Sequence, residues 1–204
     1  GKTFEMQGEI FKMSGVKLNF KVANPIPVFI GAQGPKMLAL AAEIGDGVLI
    51  NASHPRDVEN AMKFVREGAE RAGKKLEDLS VSASTSFSIA SDYDKALRAV
   101  VPVVAYIVAG APEMILEQHG ISVEIARKIR DAIVHAQWKE AFSYVDNNMV
   151  EAFSICGTPE TCIEKIDKLV KVGVNQTVAG SPIGPNTRKS INMIAAEVFP
   201  HFRK

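Results

Sequence analysis

The chain has 204 residues, 47% of them hydrophobic and 23% charged, with a net charge of +1. That composition is globular, and so balanced a charge leaves no electrostatic footprint for nucleic acid. No apolar run approaches the ~20 residues of a membrane helix, and the longest, Ala99 to Pro112, contains Pro102.

The opening Gly1-Lys2-Thr3-Phe4-Glu5-Met6 is polar and mixed, unlike a secretory leader. Residues 8–13 and 16–20 read as a hairpin or extended arm turned by Ser14-Gly15. Pro27-Val28-Phe29-Ile30 is a short apolar run led by proline, the pattern of a buried strand. Gly31-Ala32-Gln33-Gly34 follows as a tight loop, whose two glycines would allow positive φ and close approach by a ligand. Pro35 suits the first position of a helix that runs to Gly45. A strand feeding a glycine loop at a helix N-terminus is a candidate anion site, because free N–H groups and the positive dipole end coincide. Glycine for turn geometry alone is the rival reading.

Residues 46–51 form a second short buried strand, and Ser53 is the expected cap of the next helix, which ends at Gly73. Leu79 to Ile89 is a third strand, apolar on one face and serine-rich on the other, from Ser80 to Ser88. Thr85 reads as a core-packing residue. Residues 91–150 are helical, with Ser91 and Ser122 as caps and Pro102 expected to kink or split the first helix. Thr158-Pro159-Glu160 opens a further helix. Residues 175–179 make a fourth strand, ending in Gly180-Ser181-Pro182-Ile183-Gly184-Pro185-Asn186, and Thr187 is expected to cap the last helix.

Strands alternating with helices imply a parallel α/β sheet. Ligands in such sheets sit at the carboxyl ends of the strands, so the loops at 31–35, 51–54 and 180–186 would share one rim. Alternation puts large apolar side chains on both faces; Val28, Ile30, Val48, Ile50, Thr85, Phe87 and Val178 are expected to be in part uncovered. The two cysteines, Cys156 and Cys162, have neither a zinc spacing nor a disulfide framework, which fits a reducing, cytoplasmic setting. The four histidines have no ligand-like company, and no cluster of His, Asp or Glu stands near the strand ends, so no metal is expected.

Three segments carry a family resemblance: Gly31-Ala32-Gln33-Gly34-Pro35-Lys36-Met37, Gly45-Asp46-Gly47-Val48-Leu49-Ile50-Asn51, and Gly180-Ser181-Pro182-Ile183-Gly184. With Gly157-Thr158-Pro159-Glu160 they resemble the bacterial luciferase-like superfamily of (β/α)8 barrels. Within it the chain is most similar to the archaeal coenzyme F420-dependent methylenetetrahydromethanopterin reductases of methanogenesis and one-carbon metabolism. The resemblance implies one α/β domain over residues 1–204, the C-terminal portion (strands five to eight) of a TIM barrel usually of about 250 residues or more, with residues 91–150 as a helical insertion.

It also implies hydride transfer between reduced F420 and a pterin substrate. Gly31, Ala32, Gln33 and Gly34 would hold the cofactor phosphate through backbone amides, with polar contacts from Asn51 and Ser181 and charge from Lys36. No catalytic residue is identified. An FMN-dependent luciferase-like monooxygenase, another F420 oxidoreductase, and a non-catalytic structural paralogue are the alternatives. The expected partner is a second copy of the chain or the missing barrel half, with no nucleic acid and no membrane.

Overall fold

The computed structural model describes residues 2–203. Strands β1 (Phe4–Gln7) and β2 (Lys12–Val16) form an antiparallel hairpin. Its turn is not at Ser14-Gly15, which lies inside β2, but at Gly8–Phe11, where the Gly8 N–H donates to the Phe11 carbonyl at 2.9 Å. A Cβ on Gly8 would sit 2.9 Å from that same oxygen, so the turn depends on a glycine there.

The main sheet is parallel, in spatial order β3 (Phe29–Gly31), β4 (Gly47–Asn51), β5 (Ser80–Ile89) and β7 (Gln176–Ala179). These are the four expected strands. A further short strand, β6 (Ser154–Gly157), pairs with Ser86–Ile89 at the carboxyl end of β5. It is four residues long and wedged between two helices, too short to announce itself by periodicity.

Helices α1 (Pro35–Ile44), α2 (Pro55–Arg71) and α8 (Pro159–Lys171) cover one face of the sheet. Val48, Ile50, Val81, Ala83, Phe87 and Ile89 point into that layer and pack with Leu38, Met62, Val65 and Leu169. Val48, Ile50 and Phe87 are therefore covered, contrary to expectation, and Thr85 is buried as its core-packing reading expects. The opposite face of β3, β4 and β7 is the open one, with Phe29 41% and Val178 40% exposed. The alternation was legible but its phase was not: only the helices, seated on one face, decide which member of each pair is inside.

A second core belongs to the helical segment, α3 (Tyr93–Gly110), α4 (Glu113–Gln118), α5 (Val123–Val134), α6 (Trp138–Ser143) and α7 (Asn147–Phe153). Pro102 does not split α3. The helix buries Val100, Val104, Ala105 and Val108 on one side, and that burial outweighs the ~3 kcal/mol of a mid-helix proline. The chain closes with α9 (Thr187–Met193), a π-helical turn over Ile194–Val198 and α10 (Phe199–Phe202).

Three caps shift by one residue. His54 rather than Ser53 caps α2, Asp92 rather than Ser91 caps α3, and Asn186 rather than Thr187 caps α9. Asp and Asn present a planar acceptor well placed for the third amide of the helix; Asp92 Oδ1 accepts from Lys95 N–H and Asn186 Oδ1 from Lys189 N–H, both at 3.0 Å. Ser122 and Thr158 cap α5 and α8 as expected. No helix among the described residues is long and apolar enough to cross a membrane.

Candidate functional site at the carboxyl rim of the sheet

The loops after β3, β4 and β7 emerge on one rim, because the strands that feed them run parallel. An open cleft of about 570 Å³ lies there. Gly31, Ala32, Gln33 and Gly34 line it from the loop, Met37 from α1, Leu49 and Asn51 from β4, and Ser84 from β5. Asn51 and Ser84 are register partners across the β4–β5 ladder, which brings two polar side chains to one wall.

Gly31, Ala32, Gln33, Gly34 and Asn51 thus meet in one cleft, which Lys36 does not line. Ser181 is not among those that line it. It follows β7, on the far side of β5, in a loop fixed by hydrogen bonds from Ile183 N–H to Phe87 O (2.7 Å) and from Ile89 N–H to Ile183 O (3.0 Å).

The glycines of the cleft are explained neither by backbone strain nor by neighbours. Gly34 has φ −81, and Gly31 is not among the positive-φ glycines, so the expectation of left-handed backbone fails for both. A Cβ built on either would meet nothing within 4 Å. The contrast is Gly47, whose Cβ would strike the Phe29 ring at 2.6 Å and is excluded by the chain itself. Gly31 and Gly34 line the cleft, and a side chain at either would enter open space. Helix α1 also starts there without a side-chain cap and without an acidic residue in its first turn. Its leading N–H groups and positive dipole end are left for an anion.

A cluster that the sequence gave no reason to expect stands beside this rim. His119, at the end of α4, lies 62 residues from Asp57 in the chain, yet its Nε2 is 2.9 and 3.0 Å from the two Asp57 carboxylate oxygens. Gln118 Nε2 donates to the same carboxylate at 3.2 Å, and Arg56 Nη1 donates to the Gln118 carbonyl. Asn148 from α7 donates to the His119 carbonyl at 2.9 Å. The His54 ring meets His119 edge-on at 4.9 Å. The expectation of no His/Asp cluster near the strand ends is therefore wrong; the residues converge only through the tertiary fold. No group of three metal-ligand side chains occurs among the described residues.

The Asp57–His119 pair is well buried, with side chains 16% and 5% exposed. Removing one partner of such a pair leaves the other polar group buried alone. Asp57→Ala is expected to cost about 3 kcal/mol, at the lower end for a buried pair because Asp57 keeps some contact with water. Asp57→Asn, which retains an acceptor oxygen for His119 Nε2–H, should cost less than half as much. Urea midpoints of wild type and the two variants check this; midpoints of both variants equal to that of wild type would show that the pair contributes no stability.

Other reactive groups are unsuited to chemistry. Cys156 and Cys162 are both free and buried, and burial pushes their thiols up to about 11 and about 12 respectively. Neither would supply a thiolate nucleophile at neutral pH. A larger hollow of about 730 Å³ lies on the helical segment around Gln137, Trp138 and Ser143. It lies on none of the three rim loops, so the rim cleft is the better candidate.

The chain is similar to known proteins along its length. The model of the luciferase-like monooxygenase family matches residues 1–176. The chain is 48% identical over 207 aligned residues to the 5,10-methylenetetrahydromethanopterin reductase of Archaeoglobus fulgidus, covering 100% of this chain and 62% of that protein. It is 46% identical to the reductase of the same name from Methanopyrus kandleri, covering 100% and 59%. The structure of the coenzyme F420-dependent tetrahydromethanopterin reductase from Methanopyrus kandleri superposes with a TM-score of 0.94 at 46% identity, over 98% of this chain and 58% of that one. The chain thus spans about three fifths of the length of the relatives it matches. With the family match running over most of its length, the chain belongs to the luciferase-like monooxygenase family.

Proposed function

We propose that this chain is part of an F420-dependent 5,10-methylenetetrahydromethanopterin reductase and that the rim cleft seats the cofactor. The observation that carries the reading is the pair of cleft-lining glycines, Gly31 and Gly34, which leave open space beside an uncapped helix N-terminus. That is the shape and polarity a phosphate requires. The identity to the archaeal reductases, spread over the whole chain, supports the choice of cofactor.

In this reading the N–H groups of Gly31, Gln33 and Gly34 and of the first turn of α1 hold the phosphate-bearing end; the Ala32 N–H does not take part, because it is given to Leu49 O at 3.0 Å. Asn51 and Ser84 orient the ligand from the sheet, and Lys36 at the start of α1 adds positive charge at the surface. Ser181 meets only a ligand long enough to reach across β5. F420, when bound, supplies a hydride from its deazaflavin ring to the methylene carbon of the pterin. The chain's own task is to bind, orient and exclude water, which agrees with a cleft lined by uncharged side chains.

The parallel strands β3, β4, β5 and β7 correspond, we propose, to strands five to eight of a (β/α)8 barrel, with residues 91–150 as a helical insertion in one domain. The open inner face and the outer edges of β3 and β7 would then be covered by the rest of the barrel or by a second copy.

Gly34→Val tests the cofactor seat. In the full-length protein the substitution is expected to weaken F420 binding by about tenfold or more, since it displaces charge-assisted hydrogen bonds to the phosphate. Thermal melts run alongside should barely move, because the new side chain meets no protein atom. Equal affinity with a lower melting temperature would mean that the glycine serves the turn alone. Absorbance of the protein purified from its source separates a deazaflavin from FMN, and the absence of any chromophore or F420 affinity would favour a structural paralogue.

A further inference from the structure

We propose that His54 is a positioning residue for the cleft: as the neutral N-cap of α2, braced by the Asp57–His119 pair, it holds the short β4–α2 connection and so sets the place of Asn51 in the cleft wall. The inference rests on the reading of the cleft as a cofactor seat.

Only Ala52, Ser53 and His54 separate Asn51 from α2. The Ala52 N–H is tied back to Ile50 O at 3.1 Å, and Ser53 is buried. The remaining freedom of the connection is removed at His54, whose Nδ1 accepts the Arg56 N–H at 3.2 Å. A nitrogen that accepts cannot carry a proton, so the cap exists only in the neutral imidazole with its proton on Nε2. The ring is fixed from its other side by His119, which Asp57 and Gln118 hold in turn.

These contacts join the rim to the helical segment. Arg56 and Asp57 on α2, Gln118 and His119 at the end of α4, and Asn148 on α7 form one connected set. Asn51 is thus registered against α4 and α7, not only against its own sheet.

Protonation of His54 would remove the cap and place a cation at the positive end of the helix dipole. The groups around His54 are His119 on α4, Asp57 and Arg56 on α2, and Glu151 on α7. Burial, then His119, hold the imidazole below its ordinary 6.5, with Arg56 adding to them and Asp57 and Glu151 opposing. The folded chain therefore binds fewer protons at this site than the unfolded one. The contribution of the cap is complete above about 6.5 and is lost as pH falls through the lower folded value.

The test measures F420 affinity by equilibrium dialysis from about pH 7.5 to about pH 5, with full-length wild type, His54→Asn and His54→Ser. Asn and Ser are good N-caps that do not titrate in this range. The affinity of each variant relative to wild type at the same pH cancels any titration of the ligand, and circular dichroism at each pH confirms that all three are folded. The expected result is near-equal affinity at neutral pH and a wild-type loss of about fivefold on acidification that both variants escape. A loss of stability alone would move the melts without separating these profiles. Parallel profiles for wild type and both variants overturn the proposal. Gly34→Val at neutral pH serves as the control for the cofactor seat. If it binds F420 like wild type, the seat itself is misplaced and the role of His54 falls with it; if it does not bind while the profiles remain parallel, only the role of His54 fails.

Discussion

Gly68→Ala is expected to destabilise the full-length protein by about 3 kcal/mol or more, roughly a 10 °C fall in melting temperature for a domain of this size. Gly68 lies on α2 where that helix crosses α1. An added Cβ would fall 2.0 Å from the carbonyl oxygen of Ala39, 2.7 Å from its carbon and 2.9 Å from its Cα. These are backbone atoms of a helix whose Leu38, Ala41 and Ala42 are fully packed, so no side chain can swing aside and the helices must separate. Separation would uncover Val58, Met62 and Val65, which share that core. Each large side chain so exposed is worth about 1.5–3 kcal/mol. Gly110→Ala is the matched control: Gly110 ends α3 with open space around the added methyl, and the change is expected to be neutral or slightly stabilising. A Gly68→Ala protein that melts with wild type would show that α1 and α2 do not approach this closely.

The isolated 204-residue chain is not expected to persist as a stable monomer. Among the described residues β3 pairs only with β4 and β7 only with β5, so each presents a row of unpaired N–H and C=O groups. The open face between them carries Phe29 and Val178, and the segment before β3 leaves Phe4, Ile10, Phe11, Phe20 and Ile26 exposed. Four or five large side chains uncovered at about 1.5–3 kcal/mol each rival a typical net stability of about 5–15 kcal/mol. Sedimentation at micromolar concentration, with intact mass to detect a retained companion, is expected to show self-association or a second polypeptide. A cooperative, well-folded monomer of 22.1 kDa would overturn the partial-barrel reading and require these strands to make a complete small fold.

Much of this protein is determined by local sequence. Strands β3, β4 and β7 are short runs that end at Gly31, at Asn51 and just before Gly180, β5 shows a two-residue alternation of serine with larger residues, and the helices show apolar stripes and N-caps at Ser122 and Thr158. Their alternation alone implies parallel strands, and parallel strands bring three loops to one rim. Topology alone therefore implies that the loops at 31–35, 51–54 and 180–186 share a rim; the individual residues Gly31, Ala32, Gln33, Gly34, Asn51 and Ser181 are what the family resemblance implies, and Ser181 lies outside the cleft. What local sequence could not decide depends on contacts distant in the chain. The phase of the strands was set by which face the helices cover, so Val48 and Phe87 proved buried and Phe29 open. Gly34 is neither left-handed nor crowded, and the open space beside it is a property of its neighbours. The Asp57–His119 pair joins residues with no shared periodicity or motif, brought together because α4 returns the chain to α2. Periodicity and capping act over a few residues and can be read from them; side-chain convergence across a fold is created by packing, and only the packed structure displays it.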